Sequence, residues 1–152
     1  MMREYPTSNN RRWGIAWVAL CVALAVHVAD ETVTDFLSYW NPLVHSIREH
    51  WSFAPLPTFS FPLWFGGLIF AVLVFTYLSR FAFRGVMWMK PVSYFVAIVM
   101  LFNGIQHLVA SVYLQRAAPG VYSSPLLLAA AAYLLVSVRR YWQTPFNVRS
   151  SA

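Results

Sequence analysis

The residues with chemistry to offer fall in two short runs. The first is His27-Val-Ala-Asp30-Glu31, with an imidazole and two carboxylates at i, i+3 and i+4. On a helix those three positions share one face. The second is Asn103-Gly-Ile-Gln-His107, where Asn103, Gln106 and His107 repeat that spacing and Ser111 extends the stripe. Both runs lie in apolar surroundings. Ionisable groups there are costly, and they tend to be functional. Two chemistries suit them. His27, Asp30, Glu31 and His107 supply two imidazoles and two carboxylates for a divalent metal such as Zn, Mn or Fe, with His27, Glu31 and His107 as its expected ligands. An open position on the metal would activate water or a substrate oxygen, as in a hydrolase-like metalloenzyme. Without a metal, Glu31 and His107 would be the main proton handlers of an acid–base isomerase. Asp30 would then tune Glu31, and Asn103 would orient the substrate or bind a developing oxyanion.

The elements that must position these residues are membrane spans. Hydrophobic residues make up 59% of the 152-residue chain and charged residues only 11%. A soluble domain carries about 25% charged residues. A chain this poor in charge would expose large apolar patches to water. Spanning a bilayer takes roughly 17–25 mostly apolar residues. Four segments qualify, at about 13–31, 61–79, 91–115 and 121–139. Between the first two, residues 35–50 repeat apolar positions in steps of three and four. This predicts an amphipathic helix lying in the membrane interface. The expected fold is all-α, a single-domain integral membrane four-helix bundle with that extra interfacial helix, and with a loose tail over 143–152.

Nine of the eleven Lys and Arg residues fall on the side of the two termini, with Arg48 and Arg116 opposite. The positive-inside rule puts both termini in the cytoplasm. The net charge of +6 is scattered at span ends, so no nucleic-acid partner is expected. A lone cysteine, Cys21, excludes a disulfide framework within one chain.

Depth links the two runs. At 1.5 Å rise per residue, His27 lies ~21 Å along the first span, Asn103 ~20 Å and His107 ~26 Å along the third. Both runs reach the outer half of the bilayer. Ser123 and Ser124, at the outer start of the fourth span, fall nearby as helpers. A single polar pocket results if the first and third spans adjoin. It would open among lipid chains, so its ligand should be small and apolar or lipid-like.

The chain resembles the HXXEE-domain family of small bacterial multi-span membrane proteins. The naming motif appears as His27-Val-Ala-Asp30-Glu31, with Asp30 in place of the first Glu. An Asn-x-x-x-His motif appears as Asn103 to His107. A Pro-Gly followed shortly by a hydroxyl appears as Pro119-Gly120 with Ser123 or Ser124. The resemblance covers most of the chain, about residues 14 to 138. The resemblance implies an enzyme with an intramembrane polar site and leaves the reaction open. Asp30 shortens the side chain but keeps the carboxylate.

A non-enzymatic reading stands beside these. His27 with Glu31, and Asn103 with His107, would be hydrogen-bonded glue between helices. The chain would then be a structural or accessory subunit of a membrane complex, whereas an enzyme would be a monomer or homo-oligomer. His45, Glu49 and His50 read as a wet face of the interfacial helix. Gly66, Gly67 and Gly104 read as points of close helix approach. The tryptophans read as an aromatic belt, and Phe75, Phe81 and Phe83 as lipid-facing.

Overall fold

The computed structural model describes residues 8–143. Among the described residues there are five α-helices and no strand: α1 Ser8–Val33, α2 Phe36–His50, α3 Phe61–Phe83, α4 Met89–Leu114 and α5 Ser124–Gln143. Gln143 is helical, and the remainder of the expected tail lies outside the described residues.

Three helices, α1, α3 and α4, are long and apolar enough to cross a membrane. α5 differs because of its start. The sequence suggests a span from 121, yet Val121 to Ser123 form a turn closed by Val121 N–H on Ala118 C=O. Gly120 holds φ at +80°, a conformation that suits glycine. Pro125 then sits in the first helical turn, where its missing N–H costs nothing. The apolar part of α5 ends before Arg139 and Arg140. It covers only ~22 Å at 1.5 Å per residue, against a hydrocarbon core of about 30 Å.

α1 is the central helix. It packs on α3 and α5, and α5 packs on α4. Of its most apolar window, 56% is buried, against 6% for α3 and 22% for α4. Its buried stripe runs Trp13, Ala16, Trp17, Leu20, Leu24, His27, Glu31. The steps of three and four keep one face inward, so His27 and Glu31 finish the apolar seam rather than leave it. α4 does the same with Met89, Ser93, Val96, Ala97, Gly104 and His107. From α5, Leu127, Ala130, Ala131, Leu134 and Val138 complete the core.

At the end of the bundle away from the polar runs, Trp13 and Trp17 are fully buried. Both indole N–H groups donate to Ser93 Oγ, at 3.0 and 2.8 Å. These two tryptophans are therefore core residues rather than belt residues, because α4 supplies an acceptor for each N–H. The phenylalanines also differ from expectation. Phe75 meets Trp17 edge-on at 5.9 Å, and Phe83 lies over Gly14. The glycines divide. A Cβ at Gly104 would meet Leu128 at 2.8 Å, so Gly104 does let α4 and α5 approach. Nothing lies within 4 Å of such an atom at Gly66 or Gly67, which face outward.

α2 matches its expected bounds. Asp35, at φ 54°, caps its N-terminus by accepting from Ser38 N–H. The segment that follows is strapped along it. Trp40 Nε1 donates to Pro57 C=O at 2.9 Å, Asn41 exchanges two hydrogen bonds with the Phe59 backbone, and Arg48 donates to Leu56 C=O. Pro55, Pro57 and Pro62 suit that extended path. Phe36 anchors α2 to the bundle by stacking on Trp64 of α3 at 5.7 Å.

Candidate functional site

The two polar runs meet where α1 and α4 end. His27 and His107 lie edge to face, with ring centroids 4.8 Å apart. Glu31 Oε1 stands between them, 3.1 Å from His107 Nε2 and 3.6 Å from His27 Nε2. All three side chains are buried. One ligand atom from each lies within 4.8 Å of the others. A tetrahedral zinc ion with bonds near 2.0–2.1 Å sets its ligand atoms roughly 3.3 Å apart. The two separations from Glu31 bracket that value.

Direction matters as much as distance. Neither Nε2 makes a hydrogen bond, although both are buried. The 3.1 Å approach of His107 to Glu31 lacks hydrogen-bond alignment. Leaving a buried polar atom unmet costs about 1–3 kcal/mol. Two such atoms beside one carboxylate are what a ligand-binding centre presents.

Ser123 fixes the state of His27. Its Oγ lies 2.8 Å from His27 Nδ1 and 2.7 Å from Asp30 Oδ2. A hydroxyl has one proton to give. The Ser123 hydroxyl gives it to Asp30, the short, charge-assisted contact, rather than to Gly120 C=O at 3.3 Å. It must then accept from His27, so Nδ1 carries the imidazole proton. In the neutral imidazole Nε2 then holds a lone pair, 3.6 Å from Glu31 Oε1. Asp30 is itself pinned, since Ser123 N–H donates to the same Oδ2 at 2.8 Å. Such outer partners orient metal-ligating histidines.

The Pro119-Gly120 turn closes the site. A Cβ on Gly120 would meet His107 Cε1 at 2.9 Å and Glu31 Cγ at 3.0 Å, so only a bare backbone fits there. Gly120 N–H donates to Thr34 Oγ1 at 3.2 Å, and Ser124 Oγ donates to Gly120 C=O at 2.8 Å. Ser111 ties the turn to α4 by accepting from Ala118 N–H at 2.9 Å.

All seven residues singled out from sequence converge here, in three ranks. His27, Glu31 and His107 form the centre. Asp30, Ser123 and Ser124 support it without facing it. Asn103 lies beside His27, its amide within reach of the imidazole and its Oδ1 buried. Gln106 does not join the centre; it lines a slot between α2 and α4 that reaches His107. Sequence reasoning missed Gly120 as a site residue, and Thr34 and Phe36 altogether. Gly120 had a signal in its Pro-Gly pair. Phe36, whose ring meets His107 at 5.9 Å, had only its place on an apolar helix face. His45, Glu49 and His50 are exposed on α2, as the wet-face reading expects.

No protein family, curated protein or solved structure matches this chain. The site's chemistry therefore rests on its own geometry.

Proposed function

We propose that this chain is an integral membrane metalloenzyme of the HXXEE type, with a divalent cation held by His27, Glu31 and His107. The observation that carries the reading is the pair of buried Nε2 atoms that flank Glu31 Oε1 without an aligned hydrogen bond. Interhelical glue would need those atoms hydrogen-bonded. Two histidines and one carboxylate suit Zn or Fe. A cation there supplies Lewis-acid polarisation of a substrate oxygen. The protein's own groups do the rest. Asp30 and Ser123 hold His27 in one tautomer, Gly120 and Phe36 keep water from His107, and the Asn103 amide orients the substrate.

In this reading α1, α3 and α4 cross the bilayer, and α5 is the fourth crossing, its shortness offset by burial against α1 and α4. α2 lies in the outer interface. Arg11, Arg12, Arg80, Arg84, Lys90, Arg139 and Arg140 mark the cytoplasmic side, of a bacterial inner membrane. The substrate is small and apolar or lipid-like, because the slot to His107 is lined by Phe36, Trp40 and Leu43.

The test is elemental analysis of detergent-purified protein, prepared without chelator, beside His27→Ala and His107→Ala. One equivalent of Zn, Mn or Fe, lost from both variants, supports the centre. A stable wild type without metal sinks it. Co-purified lipid in that case would turn the reading to metal-free acid–base chemistry. Co-purified unrelated chains would turn it to an accessory subunit, which the outward, unpartnered Gly66-Gly67 face of α3 would suit.

A further inference from the structure

Beside the centre, on the other side of the Pro119-Gly120 turn, lies a cleft of about 400 Å³ between the start of α2 and the α4–α5 turn. Its polar lining comes from Thr34, Asp35, Ser38, Tyr39, Arg116 and Tyr122. Arg116 is exposed, and among the described residues no side chain pairs with its guanidinium. The other cation at this end, Arg48, is occupied by Leu56 C=O. Asp35 receives Ser38 N–H and Oγ–H, yet a carboxylate has further lone pairs to offer. Arg116 and Asp35 thus line one cleft as opposite charges that do not pair with each other.

The cleft has a narrower neighbour. Tyr39 lines the cleft and also lines the second, narrower slot of about 60 Å³. That slot is walled by Phe36, Trp40, Leu43 and Gln106, and it ends on His107. Tyr39 thus stands between a cleft that carries opposite charges and an aromatic slot that touches His107. α2 supplies a wall to both.

We infer that the cleft binds the headgroup of a zwitterionic amphiphile of the phosphoethanolamine type, its phosphate on Arg116 and its ammonium on Asp35. This deepens the proposed function and rests on it for the lipid-like nature of the ligand; the apolar portion stays among lipid chains, since the slot at His107 holds only about 60 Å³. Guanidinium suits phosphate because its donors are planar and forked. A separated pair of charges selects a zwitterion over an anion, since an anionic headgroup leaves Asp35 facing negative charge. The amphipathic helix that carries Asp35 and Tyr39 becomes the selecting element.

The experiment is calorimetric titration of detergent-purified protein with dihexanoyl phosphatidylethanolamine, dihexanoyl phosphatidylglycerol and free O-phosphoethanolamine. Metal content is measured on the same samples. The ethanolamine lipid should bind most tightly. Arg116→Gln should weaken both lipids about tenfold, the worth of one charge-assisted hydrogen bond. Asp35→Asn keeps a good helix cap and should erase only the preference for ethanolamine over glycerol. Equal binding of the two lipids by wild type, variants that bind like wild type, or free headgroup binding as tightly as lipid would each overturn the inference. His107→Ala separates this from the metal reading. Lipid binding that persists there, with the metal gone, sustains the cleft. Metal without lipid binding in the wild type leaves the centre standing and removes the cleft.

Discussion

Ser123 Oγ lies 2.8 Å from His27 Nδ1, joining the turn before α5 to the polar end of α1. The contact decides which imidazole nitrogen is free. With Asp30 accepting from the hydroxyl, a neutral His27 presents the Nε2 lone pair beside Glu31. Ser123→Ala removes the acceptor without adding bulk. The imidazole can then rotate or change tautomer. We expect metal affinity to fall 10- to 100-fold, the usual effect of losing an outer-shell partner. Competition with a chromogenic chelator measures it. Thermal stability in detergent should change far less, and a fall in stability with unaltered affinity would make Ser123 a packing residue.

Gly120→Ala tests the closure of the site. The added methyl would lie 2.9 Å from His107 Cε1 and 3.0 Å from Glu31 Cγ, and the backbone sits at φ +80°. Strain and overlap each cost on the order of 1–3 kcal/mol. The expected result is a lower thermal midpoint together with metal loss, because the clash falls on two of the proposed ligands at once. Gly66→Ala is the matched control. Nothing lies within 4 Å of its Cβ, and a better helix former replaces glycine there. Its midpoint should hold or rise.

Much of this arrangement was legible in the sequence because two periodicities agree. Trp13, Leu20, Leu24, His27 and Glu31 fall on one helical stripe, as do Ser93, Val96, Gly104 and His107. Hydropathy gave the helices, and depth arithmetic put the histidines at one level. What stayed hidden depends on tertiary neighbours. Nothing in the run around Trp13 and Trp17 announces that Ser93 will accept both indoles. Position at a span end suggested a belt instead. The apolar run through residues 121–138 likewise gave no sign that the turn would extend to Ser123. That extension matters, because it frees the Ser123 N–H and hydroxyl for Asp30. Phe36 and the cleft at Arg116 depend on how α2 folds back, which periodicity alone leaves open.

Ser93→Ala probes the opposite end of the bundle. Ser93 Oγ accepts from Trp13 and Trp17 and donates to Met89 C=O. Its loss removes an acceptor shared by two buried indoles, at about 1–3 kcal/mol for an unmet buried donor. The expected outcome is a clear drop in thermal midpoint with full metal content, since the centre lies a helix-length away. Metal loss equal to that of His107→Ala would mean that the centre only reports global stability, and the candidate site would lose its standing as a separate unit.

Glu31→Gln is the sharpest discriminator between chemistry and glue. The substitution keeps length and volume and adds an N–H₂ donor in place of a carboxylate oxygen. As glue, the site should tolerate or welcome it. Glutamine would donate to the Nε2 lone pair of His27, satisfying an atom that makes no hydrogen bond in the wild type. Stability should then rise or hold, and no bound species should be lost. As a metal centre, the site loses its one anionic ligand while both histidines stay in place. A neutral amide is a poor substitute for carboxylate on a divalent cation, so metal occupancy should fall to near zero with the fold intact. Circular dichroism and metal analysis on one preparation read both arms, and a folded Glu31→Gln protein with wild-type metal content would exclude Glu31 as a ligand.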